Sequence, residues 1–86
     1  MSSVHRRVIR VIDERWGDET PFSPSELVRE SGCSRMSVFR ILRTLVALHV
    51  VMYSAKARSG RHYCVSAKWT TADDVIYSFE MERVIR

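Results

Sequence analysis

The sequence predicts a mainly α domain that carries one small antiparallel β-hairpin. Three observations predict it. Residues 23–49 hold two helix patterns separated by a glycine. Residues 50–66 hold two alternating stretches around a basic loop, KARSGR. The flanking segments 3–16 and 70–86 repeat apolar residues at intervals of three and four, the period of an amphipathic helix.

The first helix is expected from Ser3 to Trp16. Val4, Val8, Val11, Ile12 and Trp16 fall on one stripe, with Ile9 beside it. His5, Arg6, Arg10, Asp13 and Glu14 take the other side, where His5 reads as an exposed residue. Arg6, Arg7 and Arg10 lie within helical reach of Asp13 and Glu14, so they read as a solvated, self-paired face rather than a phosphate contact. Gly17 ends this helix and DETPF makes a turn. Phe22 then precedes a helix start and is placed to pack on that helix as a hydrophobic staple.

Ser23 is a favourable N-cap, Pro24 suits the first helical position, and Glu26 completes a capping box. Leu27 and Val28 give this short helix an apolar side. Gly32 stops it, because glycine enters the left-handed conformation without a Cβ clash. Ser34 caps a second helix, expected from Arg35 to His49. Val38, Ile41, Leu42, Leu45 and Leu48 line its inner face, and Arg35, Ser37, Arg40, Arg43 and Thr44 take the outer one. A short helix, a glycine turn and a longer helix with a basic outer face is the layout of a helix-turn-helix, whose second helix enters the major groove of DNA.

Val50–Ala55 and His62–Ser66 follow as two strands. Val51 and Tyr53 alternate with Met52 and Ser54, and Tyr63 and Val65 alternate with Cys64. The loop between them has Ser-Gly turn chemistry and three cations, Lys56, Arg58 and Arg61. A last helix begins near Thr71, which forms a variant capping box with Asp74. Ala72, Val75, Ile76, Phe79 and Arg83 share one side of it, while Tyr77, Met81, Val84 and Ile85 spread apolar surface further round. Part of this surface is expected to pack near Trp69 and the first helix. The surplus is more than a small monomer exposes without purpose and predicts a homodimer through the terminal helices, against the plainer reading that the last helix only covers its own domain.

The runs SELVRESGCSRMSVFRILRTL and HVVMYSAKARSGRHYCV together resemble the winged helix-turn-helix family of transcription regulators. The likeness covers about the middle half of the chain. It implies a winged helix-turn-helix with an added C-terminal helix: one winged-helix domain over 1–86, with the helix-turn-helix at 23–49, the wing at 50–66 and a C-terminal dimerisation helix at 70–86. The family often has Gly where His49 stands and charged residues where Val46 and Ala47 stand.

The implied function is sequence-specific binding of double-stranded DNA in transcription regulation. Helix residues Arg35, Met36, Ser37, Phe39, Arg40, Arg43 and Thr44 are placed for the major groove, where arginine matches guanine O6 and N7, and Met36 or Phe39 meets a thymine methyl. Packing against the wing competes for Phe39. Lys56, Arg58 and Arg61 are placed for the sugar-phosphate backbone or the adjacent minor groove.

Charge placement supports that reading. The net charge is +4, yet no acidic residue lies between Glu30 and Asp73, an interval that holds Arg35, Arg40, Arg43, Lys56, Arg58, Arg61 and Lys68. Such a block is the footprint of a polyanion-binding face, against the plainer reading of a solvated basic surface. A protein-protein interaction module built on the same fold is the alternative, but such a module has no reason to keep acids off both helix and wing. An enzyme is not expected: the three glycines form no phosphate loop, and no Ser-His-Asp order occurs. Cys33, His49, His62 and Cys64 lack zinc-ligand spacing, so no metal, cofactor or small-molecule ligand is expected. No apolar run reaches membrane-span length, and the basic N-terminus lacks the apolar stretch of a secretory signal; a cytoplasmic protein is expected.

Overall fold

The computed structural model describes residues 3–54 and 61–85. The chain forms α1 (Val4–Trp16), α2 (Pro24–Ser31), α3 (Arg35–Ala47), β1 (Val51–Tyr53), β2 (Tyr63–Val65) and α4 (Ala72–Ile85). This is the predicted architecture: a winged helix-turn-helix with an added C-terminal helix.

The helix ends form for the reasons their residues suggest. Ser23 Oγ accepts the Glu26 amide at 3.1 Å, and the Glu26 carboxylate accepts the Ser23 amide at 2.9 Å, so both bonds of the capping box are made. Gly32 closes α2 at φ 70°, with its amide donating to the Val28 carbonyl. The Thr71 box is only half made. Thr71 Oγ1 accepts the Asp74 amide, but the Asp74 carboxylate takes the Thr70 hydroxyl instead of the Thr71 amide.

α3 stops two residues short of the expected His49. Leu48 is its C-cap, and His49 then turns the chain at φ 65°. This left-handed backbone is borne by histidine, one of the non-glycine types enriched in that region. Ser66 Oγ donates to the His49 carbonyl at 2.6 Å and holds the turn against the end of the hairpin.

The strands are shorter than the alternation suggests. β1 and β2 pair antiparallel with Val51 opposite Val65, Met52 opposite Cys64 and Tyr53 opposite Tyr63. Ala55 lies outside the described residues. Tyr53 does not share the burial of Val51, being 57% exposed. Phe22 supplies a further bridge that no sequence pattern announced. Its amide donates to the Tyr63 carbonyl and the Tyr63 amide donates to the Phe22 carbonyl, both at 2.8 Å. Phe22 is fully buried, stacked on Trp16 at 4.7 Å and on Tyr63 at 6.2 Å, so α1 and the hairpin, which the staple expectation did not name, are its partners.

One buried cluster joins these elements: Val8, Ile9 and Ile12 from α1, Leu27 from α2, Val38, Leu42 and Leu45 from α3, and Val75, Ile76 and Phe79 from α4. Ile76 and Phe79 thus belong to the core of their own chain. His5 is not the exposed residue expected. Its side chain is only 14% exposed, stacked on Phe79 at 5.0 Å and bonded to Glu80 Oε2 at 2.8 Å. Arg6 and Arg10 also pair outside their own helix, with Glu80 at 3.0 Å and Asp73 at 2.7 Å. Asp13, the expected local partner, accepts the Trp69 indole N–H at 2.8 Å, which satisfies a donor on a nearly buried ring.

Candidate nucleic-acid interface

The interface is built outward from the packing of α3. Val38, Ile41, Leu42 and Leu45 are buried. At 100° per residue, Met36, Arg40, Arg43 and Ala47 form a line on the opposite side of the helix, and all four are exposed. Met36 is 71% exposed, the most open large apolar side chain among the described residues.

The remaining candidates on α3 are partly committed within the protein. Ser34 caps the helix by accepting the Ser37 amide at 3.2 Å, and its hydroxyl donates to Ser37 Oγ at 3.0 Å, which draws Ser37 into the cap. Thr44 Oγ1 donates to the Arg40 carbonyl at 3.4 Å. Arg35 reaches back to α2, its Nη2 donating to Ser25 Oγ at 3.3 Å with the guanidinium 5.9 Å from the Phe39 ring centre. Phe39 is half-buried. It lines a shallow groove of about 140 Å³ with Leu42, Arg43, Val46, Tyr53, Arg61 and Tyr63, so packing at the base of the wing describes it better than an open contact.

On the wing, Arg61 is exposed and its guanidinium sits 5.6 Å from the Tyr53 ring centre. Lys56 and Arg58 lie outside the described residues. Tyr53 was not among the sequence candidates, although an aromatic residue three positions before the basic loop was the available signal. Ser25, the partner of Arg35, left no signal of its own.

The electrostatics divide the molecule. Every arginine–carboxylate pair found among the described residues has its arginine on α1: Arg6 with Glu80, Arg10 with Asp73, and Arg15 with Glu30, and His5 shares a hydrogen bond with Glu80. Arg35, Arg40, Arg43 and Arg61 have no carboxylate partner among the described residues. Bonds from His5 and then Arg6 hold the Glu80 carboxyl below its ordinary pKa, and the Thr20 hydroxyl does the same for Asp18 in the loop after α1. Both shifts lie away from α3 and the hairpin.

Cys33 and Cys64 are half-buried free thiols, and the Cys33 thiol contacts the Ser31 carbonyl at 3.6 Å. Among the described residues no three His, Cys, Asp or Glu side chains converge as a metal site would require.

The fold is similar to that in the crystal structure of RV1404 from Mycobacterium tuberculosis, with a TM-score of 0.62 and 13% sequence identity. The match covers 99% of this chain and 59% of that one, so the chain spans well under two thirds of its neighbour's length. At this identity the likeness is one of fold alone. No family model matches the chain, and no curated protein matches it in sequence.

Proposed function

We propose that this protein is a sequence-specific, double-stranded DNA-binding regulator of transcription, without enzymatic activity, that places α3 in the major groove and its wing on the backbone or minor groove. The observation that carries the reading is the segregation of charge. Among the described residues, Arg6, Arg10 and Arg15 of α1 pair with carboxylates across the α1–α4 and α1–α2 seams and leave only Arg7 of that helix unpaired, whereas Arg35, Arg40 and Arg43 of α3 and Arg61 of the hairpin have no carboxylate partner. Unpaired guanidiniums on a helix and a neighbouring hairpin match the alternating phosphates and base edges of a duplex. No described helix is long and apolar enough to cross a membrane, and a cytoplasmic location is part of the proposal because DNA binding requires access to DNA.

We also propose that two copies act together. Tyr77 is 66% exposed and Met81 38% exposed, one turn apart on α4. Beside Tyr77, a groove of about 200 Å³ is lined by Ile76 and by two ion pairs closed within the chain, Arg6 with Glu80 and Arg10 with Asp73, so the apolar Tyr77 and Met81 would carry the contact.

The test is retention on heparin, a duplex shift assay, and selection of bound duplexes from a random pool. DNA binding predicts a defined selected sequence and an affinity that falls linearly in log salt. Neutralising Lys56, Arg58 or Arg61 lowers that slope by about one unit each. Failure to shift any duplex at low salt overturns the proposal in favour of a protein-protein interaction module.

A further inference from the structure

We propose that Met36 and Arg40 together read a short step of the duplex: Arg40 a guanine, and Met36 the C5-methyl group of a pyrimidine one or two base pairs away. This rests on the DNA-binding reading above and names what that face recognises.

The assignment follows from which outward side chains remain uncommitted. Arg35 is drawn to Ser25 and Phe39, Ser37 to the Ser34 cap and Thr44 to its own helix backbone. Met36 and Arg40 stand at the leading end of the line opposite the core, and it is the N-terminal part of a recognition helix that meets base edges. They are one turn apart. At about 1.5 Å rise per residue their attachment points differ by about 6 Å along the axis. Stacked bases are about 3.4 Å apart, so the two side chains address positions one or two steps from each other.

The chemistry of Met36 then selects its target. A face that touched only phosphate would gain nothing from a 71% exposed thioether at its leading end. The floor of the major groove offers donors, acceptors and one apolar group, the C5-methyl. An unbranched thioether adapts its shape to such a contact and removes apolar surface from water on both sides. Thymine and 5-methylcytosine carry this methyl at the same place, so either base satisfies the contact.

The test uses the full chain and its selected duplex. Each thymine is replaced in turn by deoxyuridine, which deletes the methyl and keeps the base pair. Each cytosine is replaced in turn by 5-methylcytosine, which adds one. The inference expects one position per half-site where loss of the methyl weakens binding about fourfold, the worth of one buried methyl group. Met36→Ala should bind the thymine duplex about as weakly as the native protein binds the uridine duplex, and should not respond to the exchange. Because Met36 is exposed and alanine favours helix, the variant keeps its fold, which circular dichroism checks. A response only to 5-methylcytosine assigns the methyl to a modified site and supports the inference. A selected site with no methyl-sensitive position, or the same sensitivity in Met36→Ala, overturns this inference and leaves DNA binding standing. Failure to shift any duplex overturns both.

Discussion

Arg35 and Arg40 are alike in type, yet their surroundings separate them. Arg40 points away from the core with no carboxylate partner among the described residues, while Arg35 spans from α3 to Ser25 on α2. Arg40→Ala is expected to cost about 1–3 kcal/mol on the selected site and to relax preference at one base position. Arg35→Ala is expected to weaken selected and random duplexes by the same factor. A shift assay with both kinds of duplex separates the outcomes, and a base-specific loss in Arg35→Ala would remove the distinction. At the exit of α3, His49 holds a left-handed backbone that costs a non-glycine residue about 1–2 kcal/mol. Glycine loses more chain entropy on folding, which returns some of the gain. His49→Gly is therefore expected to raise stability by about 0.5–1 kcal/mol. An unchanged or lowered urea midpoint would contradict it.

At the scale of the elements, the helix-turn-helix was legible because its signals are local. Ser23, Pro24, Glu26, Gly32 and Ser34 act within one turn of themselves, and their bonds form as their types suggest. What was not legible depends on distant partners. The Phe22 bridge joins residues 41 apart through a single pair, and one residue has no alternation to detect. The burial of His5 and the pairing of Arg6 and Arg10 depend on which face α4 turns to α1, 63 to 75 residues away in sequence. Local spacing favoured Asp13 and Glu14, but a packed indole had the stronger claim on Asp13. In the candidate interface, residue type located the basic face, whereas the commitments of Ser37, Thr44 and Arg35 required coordinates.

The α1–α4 seam also predicts a pH dependence. The folded-state pKa of Glu80 lies below its ordinary value of 4.5, so the unfolded chain takes up the proton first. The stabilisation is complete above that value and is lost as pH falls through the lower, folded value. Glu80→Gln should flatten this region of the acid limb in urea midpoints measured against pH. An acid limb identical to that of the native protein would show that the seam does not contribute.

Across the whole molecule, the question is which surface a second copy can use. Ile76 and Phe79 are spent on the core, so charged substitutions there would unfold the chain rather than separate a pair of copies. Tyr77 and Met81 are open. Tyr77→Glu with Met81→Glu should leave the circular dichroism spectrum intact, halve the mass seen by light scattering and weaken binding to a palindromic site far more than to a half-site. A native protein that scatters as a monomer at tens of micromolar, and stays so on a palindromic duplex, would refute the dimer. Within each copy, the paired amides and carbonyls of Phe22 and Tyr63 act as the rivet of a caliper. One jaw is the capped end of α2 and, through the Gly32 turn, α3; the other is β2 of the hairpin. The gap between the jaws is set inside the protein, and widening it means breaking both 2.8 Å bonds beneath a stack of aromatic rings. On the proposed DNA-binding reading, such a tool would measure its object more readily than it yields to it: a groove of the wrong width would have to bend to fit, and the energy of that bending would add to the discrimination.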